Sequence, residues 1–501
     1  MRKLGYTLVK NAFANVVRGG ATAIVAIVLP HFLTRSLEGD RFACWALMLQ
    51  IAAYASYLDF GLQTAVARYL AQAIERGDTT TRDRLIATAL AILSIAAAVA
   101  FLLIAVIVWR LPSVFSHVPS YLLAEMRAGI LVLAASSSLL LPISTFTGVL
   151  IGLHLNEYPA IAIGGSRLIG GIAVIVVSRH TSSLFWLAVC MALPNLLGGL
   201  AQLIISIKLL PGARMAIANV SREMAIELAR YCSILTFFSF WMLLITGLDV
   251  TIVSYFDFAA VGYYSVAATL VAFFSGLNSS VFNAFISPVA VLYTRAEYPR
   301  IVSVIIRATR LNTVANLTIL ACVVVFGRPL LKLWVGQSYT QDAFPILLVL
   351  LLGQAVRLTA SAYASAVLAM GEHRYAVLPG AVEAFSNVAL SLIGIHWLGP
   401  IGVAWGTLGG AVLGLACYLL YTFRRVAILS LSSLTYLRTG VLLPALMFMP
   451  LLGCTILLNS QTVFHLNVVL GWLLSLAISI SVFGWWDRSR VEVLGKERRL
   501  S

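Results

Sequence analysis

Residues 11–33 read "NAFANVVRGGATAIVAIVLPHFL". As a helix rising about 1.5 Å per residue, this stretch is long enough to cross the roughly 30 Å hydrocarbon core of a bilayer. Most of it is apolar, yet Arg18 sits about 10 Å inside it by the same rise. Asn11, Asn15, Arg18 and Thr22 recur at helical spacing and form one polar stripe, while Val16, Ala23 and Ile27 form the opposite face. Such a helix turns one side to protein or water and the other to lipid. Two readings of Arg18 are open here: it lines an aqueous cavity, or its long stem carries the charge back to the inner headgroups.

The rest of the chain repeats the pattern. It has 501 residues, of which 61% are hydrophobic and 11% charged, with a mean hydropathy of +0.97. A soluble protein carries about 25% charged residues, so this is an all-α integral membrane protein. Fourteen transmembrane helices are expected near residues 11–33, 42–66, 85–109, 128–152, 158–178, 183–207, 229–253, 261–290, 304–326, 345–369, 375–397, 400–422, 438–458 and 465–486. The basic start "MRKLGYTLVK" precedes an apolar run with no small-residue cleavage site after it, so an uncleaved first span is expected. The six cysteines are scattered through apolar spans and make no disulfide framework.

The net charge of +15 follows from where Lys and Arg collect. With the N-terminus inside, clusters such as "RYLAQAIERGDTTTRDR", "RAEYPRIVSVIIRATR" and the tail "DRSRVEVLGKERR" fall on the cytoplasmic side. Only Arg35, Arg41, Arg110, Arg127, Arg179, Arg328 and Lys332 fall outside, so both termini are cytoplasmic. This bias explains the charge without nucleic acid as a partner.

A weak internal repeat aligns Leu37 with Phe256, Glu38 with Asp257, Phe42 with Val261 and Trp45 with Tyr264 at one constant shift. It predicts two pseudo-repeated six-helix lobes, 1–210 and 211–425, followed by two additional helices and a basic tail over 426–501. Repeats of this kind place a substrate site between the halves.

Arg18, Arg167 and Arg357 lie within spans. A central charge costs at least about 2.5 kcal/mol on insertion scales, so each calls for a partner or a water-filled cavity. Glu383 is one candidate partner for Arg357 and Asp249 another, and a structural Arg357–Glu383 salt bridge is the plainer alternative. Arginine keeps its charge and its fork fits phosphate oxygens, so a positive interior points to an anionic substrate held by Arg18, Arg167, Arg357 and Asn15. Coupling to an ion gradient needs an acid; Glu383, Asp249 and Asp59 are the candidates. Glycine pairs at 164–165, 170–171, 198–199 and 409–410 read as close helix packing, and Trp334, Trp485 and Trp486 as interface anchors. No paired carboxylates, metal-ligand spacing or nucleophile elbow is present, and no cofactor or catalytic residue is expected.

The segments "NAFANVVRGG", "DFGLQTAVARY", "RPLLKLWVGQSYTQDAFPILLVL" and "VLAMGEHRYA" together resemble the polysaccharide transporter (Wzx-type) flippases of the multidrug/oligosaccharidyl-lipid/polysaccharide exporter superfamily. The resemblance runs in order over roughly residues 10 to 420. It implies two six-helix lobes around a central cavity, as in the multidrug exporter and lipid II flippase branches, and alternating access. It implies an undecaprenyl-pyrophosphate-linked oligosaccharide moved from the cytoplasmic to the periplasmic leaflet of a bacterial inner membrane. H+ or Na+ coupling, membrane lipids and a polysaccharide polymerase complex are the partners that go with it. The rival readings are an exporter of soluble small molecules on the same fold and an integral-membrane glycan polymerase or transferase, for which the external segments are short.

Overall fold

The computed structural model describes residues 2–212, 216–459 and 466–497. Side chains are described over 19–212, 216–455 and 470–487, apart from residues 280, 283, 284, 287, 452 and 485. Among the described residues every regular element is helical. Among the described residues ten helices are long and apolar enough to cross a membrane, or eleven when the bent pair Ser433–Met447 and Met449–Thr455 counts as one span. Helices also lie at further expected positions, Arg2–Ser36, Gly39–Ala53 with Leu62–Glu75, and Leu466–Glu497. The expected second span, for example, divides into helices of 15 and 14 residues.

The chain divides into two compact units. Unit 1 comprises 1–276 with the segments 334–336 and 391–403, and unit 2 the remainder. In unit 1, α1 (Arg2–Ser36) is followed by α2 (Gly39–Ala53), α3 (Leu62–Glu75), α4 (Thr79–Trp109), α5 (Leu123–Gly152), α6 (Glu157–Ser178) and α7 (Leu184–Leu209). Helix α5 is the hub, packing on α2, α3, α4 and α7, while α6 packs on α1 and α7. Small and polar residues let these helices approach. Gly148 and Gly152 of α5 lie against the main chain of Gln63 and Ala67 in α3, where a Cβ would come within 2.7 and 2.8 Å of the carbonyls. Thr147 donates to Gln202 at 2.7 Å and Ser136 to the Ala192 carbonyl at 3.2 Å, so the polar run of α5 joins it to α7.

The break between α2 and α3 is local in origin. A 3₁₀ turn over Tyr54–Asp59 ends at Phe60 and Gly61, both left-handed with φ of 54° and 74°. Gly61 also lies against Leu235 of α8 (Arg222–Met242), where a Cβ would meet the Leu235 Cδ1 at 2.6 Å. Helix α8 passes through a π turn, Leu243–Gly247, into α9 (Asp249–Phe256). Asp257 caps a 3₁₀ turn, Phe258–Ala260, from which α10 (Val261–Thr294) continues. Of the aligned positions of the internal repeat, Phe42, Trp45, Val261 and Tyr264 are buried, whereas Leu37 is buried and Phe256 only half-buried, and Glu38 is exposed and Asp257 half-buried.

Beyond α10 come α11 (Tyr298–Val335), α12 (Gln337–Leu358), α13 (Ser361–Ala369), α14 (Val377–Leu398), α15 (Pro400–Cys417), α16 (Ser433–Met447), α17 (Met449–Asn459) and α18 (Leu466–Glu497). Unit 2 contains a buried aromatic core in which Tyr363 stacks on Phe423 at 3.8 Å and Tyr418 and Tyr436 pack edge-on. The last helix is clamped by charge. Asp487 of α18, 4% exposed, accepts from Arg307 at 3.1 Å and Arg310 at 3.3 Å, and Arg310 lies over the Trp486 ring. Trp334, read as an interface anchor, is instead 8% exposed and bonded to α1 within unit 1. The Arg310 guanidinium lies over the half-buried Trp486 ring, and the side chain of Trp485 lies outside the described residues.

Candidate functional site

In unit 2 the centre is Arg357. Helix α12 carries it in its last turn, with Gln354 one turn earlier on the same face. The Arg357 Nε donates to Glu383 Oε1 of α14, and Nη1 donates to Gln354 Oε1 at 2.9 Å. Nη2 is buried and makes no hydrogen bond. The two charged side chains are 19% and 13% exposed. Glu383 sits where it does because α15 offers it a glycine: a Cβ on Gly414 would come within 2.7 Å of the Glu383 Cβ and 3.1 Å of its Oε2.

Immediately after Arg357 the span breaks. Thr359 and Ala360 are non-helical between α12 and α13, and the break carries neither glycine nor proline. The carbonyls it frees are met from neighbouring helices. Asn312 Nδ2 donates to the Leu358 carbonyl at 2.7 Å and Tyr436 Oη donates to the Thr359 carbonyl at 2.6 Å. Asn278 Nδ2 in turn donates to Asn312 Oδ1 at 2.5 Å, and Asn316 Nδ2 to the same oxygen at 3.0 Å. This amide network holds the segment that carries Arg357. Asn312 and Asn316 were legible as polar residues four apart in an apolar span, but sequence reasoning passed over them.

In unit 1, Arg167 of α6 donates through Nη1 to Thr22 Oγ1 of α1 at 2.9 Å. Thr22 is the outermost residue of the polar stripe, so the structure joins one sequence-predicted arginine to the stripe that holds another. Arg18 lies one turn before Thr22 in α1; the side chains of Arg18, Asn15 and Asn11 lie outside the described residues. The three arginines thus divide: Arg18 and Arg167 belong to unit 1 and Arg357 to unit 2.

The candidate acids differ in setting. Glu383 pairs with Arg357. Asp249, 8% exposed, opens α9 just beyond the π turn. Helix α2 reaches that turn through Gln50, which donates to the Gly247 carbonyl at 2.6 Å, and through Tyr54, which bonds Thr251. Asp59 accepts from Ser144 Oγ at 3.0 Å and from the Gly61 N–H, at the left-handed break. Among the described residues no group of three His, Cys, Asp or Glu is arranged to hold a metal. A separate apolar cavity of about 450 Å³ lies against α16–α18, lined by Leu446, Met447, Leu474, Ile478 and Val482 among others.

Residues 8–293, more than half of the chain, match the sequence profile of the family described as Polysaccharide biosynthesis protein. A Shigella flexneri protein named as an O-antigen transporter is 24% identical over 423 residues, which is 79% of this chain and 93% of that protein. Two solved structures share the fold. One is the lipid II flippase MurJ in an inward closed conformation (TM-score 0.71, 13% identity, 96% of this chain and 100% of that one). The other is an inward-facing multidrug resistance MATE transporter of the MOP superfamily (TM-score 0.63, 16% identity, 84% of this chain and 95% of that one). These names are those of transporters and flippases, not of catalysts.

Proposed function

Since the chain belongs to the Polysaccharide biosynthesis protein family, we propose that this multi-pass membrane protein is a flippase for an oligosaccharide linked to undecaprenyl pyrophosphate. It carries this substrate from the cytoplasmic to the periplasmic leaflet of a bacterial inner membrane by alternating access. The observation that carries this reading is Arg357. An arginine with an unspent, buried Nη2 donor is costly in an apolar helix, and its fork suits phosphate oxygens. Arg167, Arg18 and Asn15 belong to the same reading as further contacts for the anionic headgroup. The relative named for O-antigen transport supports the substrate class, and the apolar cavity at α16–α18 suits a polyprenyl tail.

Fourteen spans, lobes over 1–210 and 211–425, and two added helices over 426–501 complete the proposed organisation, with both termini cytoplasmic. Transport draws on a proton or sodium gradient. Glu383 and Asp249 are the leading coupling acids; Asp59, which bonds Ser144 and Gly61 at a helix break, is the third. A polysaccharide polymerase consumes the delivered substrate. No covalent step is needed, because the task is to move a polar headgroup across about 30 Å of hydrocarbon.

The test is flipping of a fluorescent undecaprenyl-pyrophosphate oligosaccharide in proteoliposomes, with and without an imposed proton or sodium gradient. Wild-type protein flips the lipid and Arg357→Ala does not. A wild type that leaves the lipid in place but moves a soluble organic cation overturns the reading in favour of a small-molecule exporter.

A further inference from the structure

We propose that Glu383 is a built-in stand-in for the phosphate of the substrate, which must displace it from Arg357, so that an anion with only weak contacts leaves the site unoccupied. This rests on the flippase reading above and adds to it a residue that sets anion affinity.

The argument begins with how incompletely Glu383 satisfies the guanidinium. Arginine offers five N–H donors, and Nε and Nη2 share the edge that receives two oxygens side by side. Glu383 places one oxygen on Nε, while Nη2 on the same edge stays buried and unbonded. Gln354 takes Nη1 at 2.9 Å and steadies the plane of the group. A pyrophosphate has oxygens enough for both Nε and Nη2. Replacing the carboxylate therefore gains a donor that is wasted in the pair.

The surroundings leave the pair no other charge to turn to on its own helices. Helix α15 carries no Asp, Glu, Lys, Arg or His; α12 carries only Asp342 besides Arg357; and α14 carries only His396 besides Glu383. Asp342 is fifteen residues before Arg357, about 22 Å along the helix. The carboxylate thus holds the arginine until a competing anion arrives. The segment bearing Arg357 is fixed by Asn312 and Tyr436, so the side chain that yields is Glu383, which lies against Gly414.

Competition of this kind weakens every anion by the fraction of time that Arg357 is occupied. A ligand with several charged oxygens overcomes the loss, and one with a single weak contact does not. Removing the charge of Glu383 must then tighten binding, which is the reverse of what a ligand-contacting residue shows.

The experiment uses the full-length protein in nanodiscs. Undecaprenyl pyrophosphate, undecaprenyl phosphate and inorganic pyrophosphate are titrated separately against intrinsic fluorescence. Glu383→Gln is expected to bind undecaprenyl pyrophosphate and undecaprenyl phosphate each about tenfold more tightly than wild type. Glu383→Asp, which keeps the charge, stays near wild type. Tightening with inorganic pyrophosphate as well assigns the competition to the phosphate group itself, and tightening with the lipid alone assigns it to the lipid headgroup. Should Glu383→Gln fail to insert, Gly414→Ala pushes the same carboxylate off its seat and is read in the same way. Equal or weaker binding by the charge-removing or displacing variant overturns the proposal while leaving the flippase reading intact. Absence of lipid binding by both wild type and variant overturns the two together.

Discussion

The indole Nε1 of Trp334 donates to the carbonyl of Ile27 at 2.7 Å, which ties the end of α11 to the main chain of α1. The contact is doubled: His31 Nδ1 donates to the Trp334 carbonyl at 2.6 Å, and Arg35 Nη1 donates to His31 Nε2 at 2.7 Å. Trp334→Phe keeps the ring but loses the N–H, and should lower stability in detergent by about 1 kcal/mol. Trp334→Ala also empties the space and should cost about 3–5 kcal/mol. Thermal unfolding of the two variants beside wild type checks both numbers. Equal melting of all three would make the contact incidental.

The hairpin of α14 and α15 closes on two glycines. A Cβ on Gly402 would fall 2.0 Å from the Gly394 carbonyl oxygen, and one on Gly394 would fall 2.4 Å from the Gly402 oxygen. Both obstacles are main chain, so no rotamer change relieves them. Gly402→Ala should therefore force the hairpin apart and lower the yield of folded protein. Gly165→Ala, with nothing within 4 Å, should raise α6 stability by up to about 1 kcal/mol through helix propensity. Size-exclusion profiles of the two variants give the comparison.

Gly61 carries two separate constraints, a φ of 74° and Leu235 at its back. Gly61→Ala should cost about 1–2 kcal/mol for the left-handed backbone and more for the clash. Adding Leu235→Ala removes the clash alone. The double variant should melt above Gly61→Ala once the cavity cost of Leu235→Ala by itself is subtracted. A strictly additive double variant would show that Leu235 does not press on this turn.

Asp78 caps α4. Its carboxylate accepts from the Thr81 hydroxyl at 2.6 Å and the Thr81 N–H at 2.9 Å, and these bonds hold its pKa below the ordinary carboxylate value. A lowered folded pKa means that the cap stabilises the helix start above the unfolded value and is lost as pH falls through the folded one. Hydrogen exchange at residues 79–82 should accordingly be slow at neutral pH and quicken below about pH 4. In Asp78→Ala it should be fast throughout. A wild type with pH-independent protection there, after correction for intrinsic rates, would remove the cap from the account.

What the sequence made legible is what periodicity and composition can carry. The apolar runs located the helices, and charge scarcity singled out Arg167, Arg357 and Glu383. Pairing of Arg357 with Glu383 was open among alternatives, because an unbroken apolar stretch does not say which face of one helix meets another. Glycine pairs drew attention because they are adjacent, and Gly198, Gly199 and Gly410 do sit at tight contacts. The tightest contact joins two solitary glycines eight residues apart, which look unremarkable in a list of residues. The break at Thr359–Ala360 was hidden for a different reason: it is stabilised from outside, by Asn312 and Tyr436, so the broken segment needs no residue that marks it. Trp334 looked like an anchor at a span end because partners more than 300 residues away leave no local trace.

The Arg357–Glu383 pair also bears on voltage. Moving one elementary charge across the whole membrane exchanges about 2.3 kcal/mol with the field for every 100 mV, and moving a pair in contact exchanges close to none. While Glu383 holds Arg357, this part of unit 2 is electrically silent, and the membrane potential exerts no net pull on it. Any step that separates the two side chains turns the same segment into one that responds to the field.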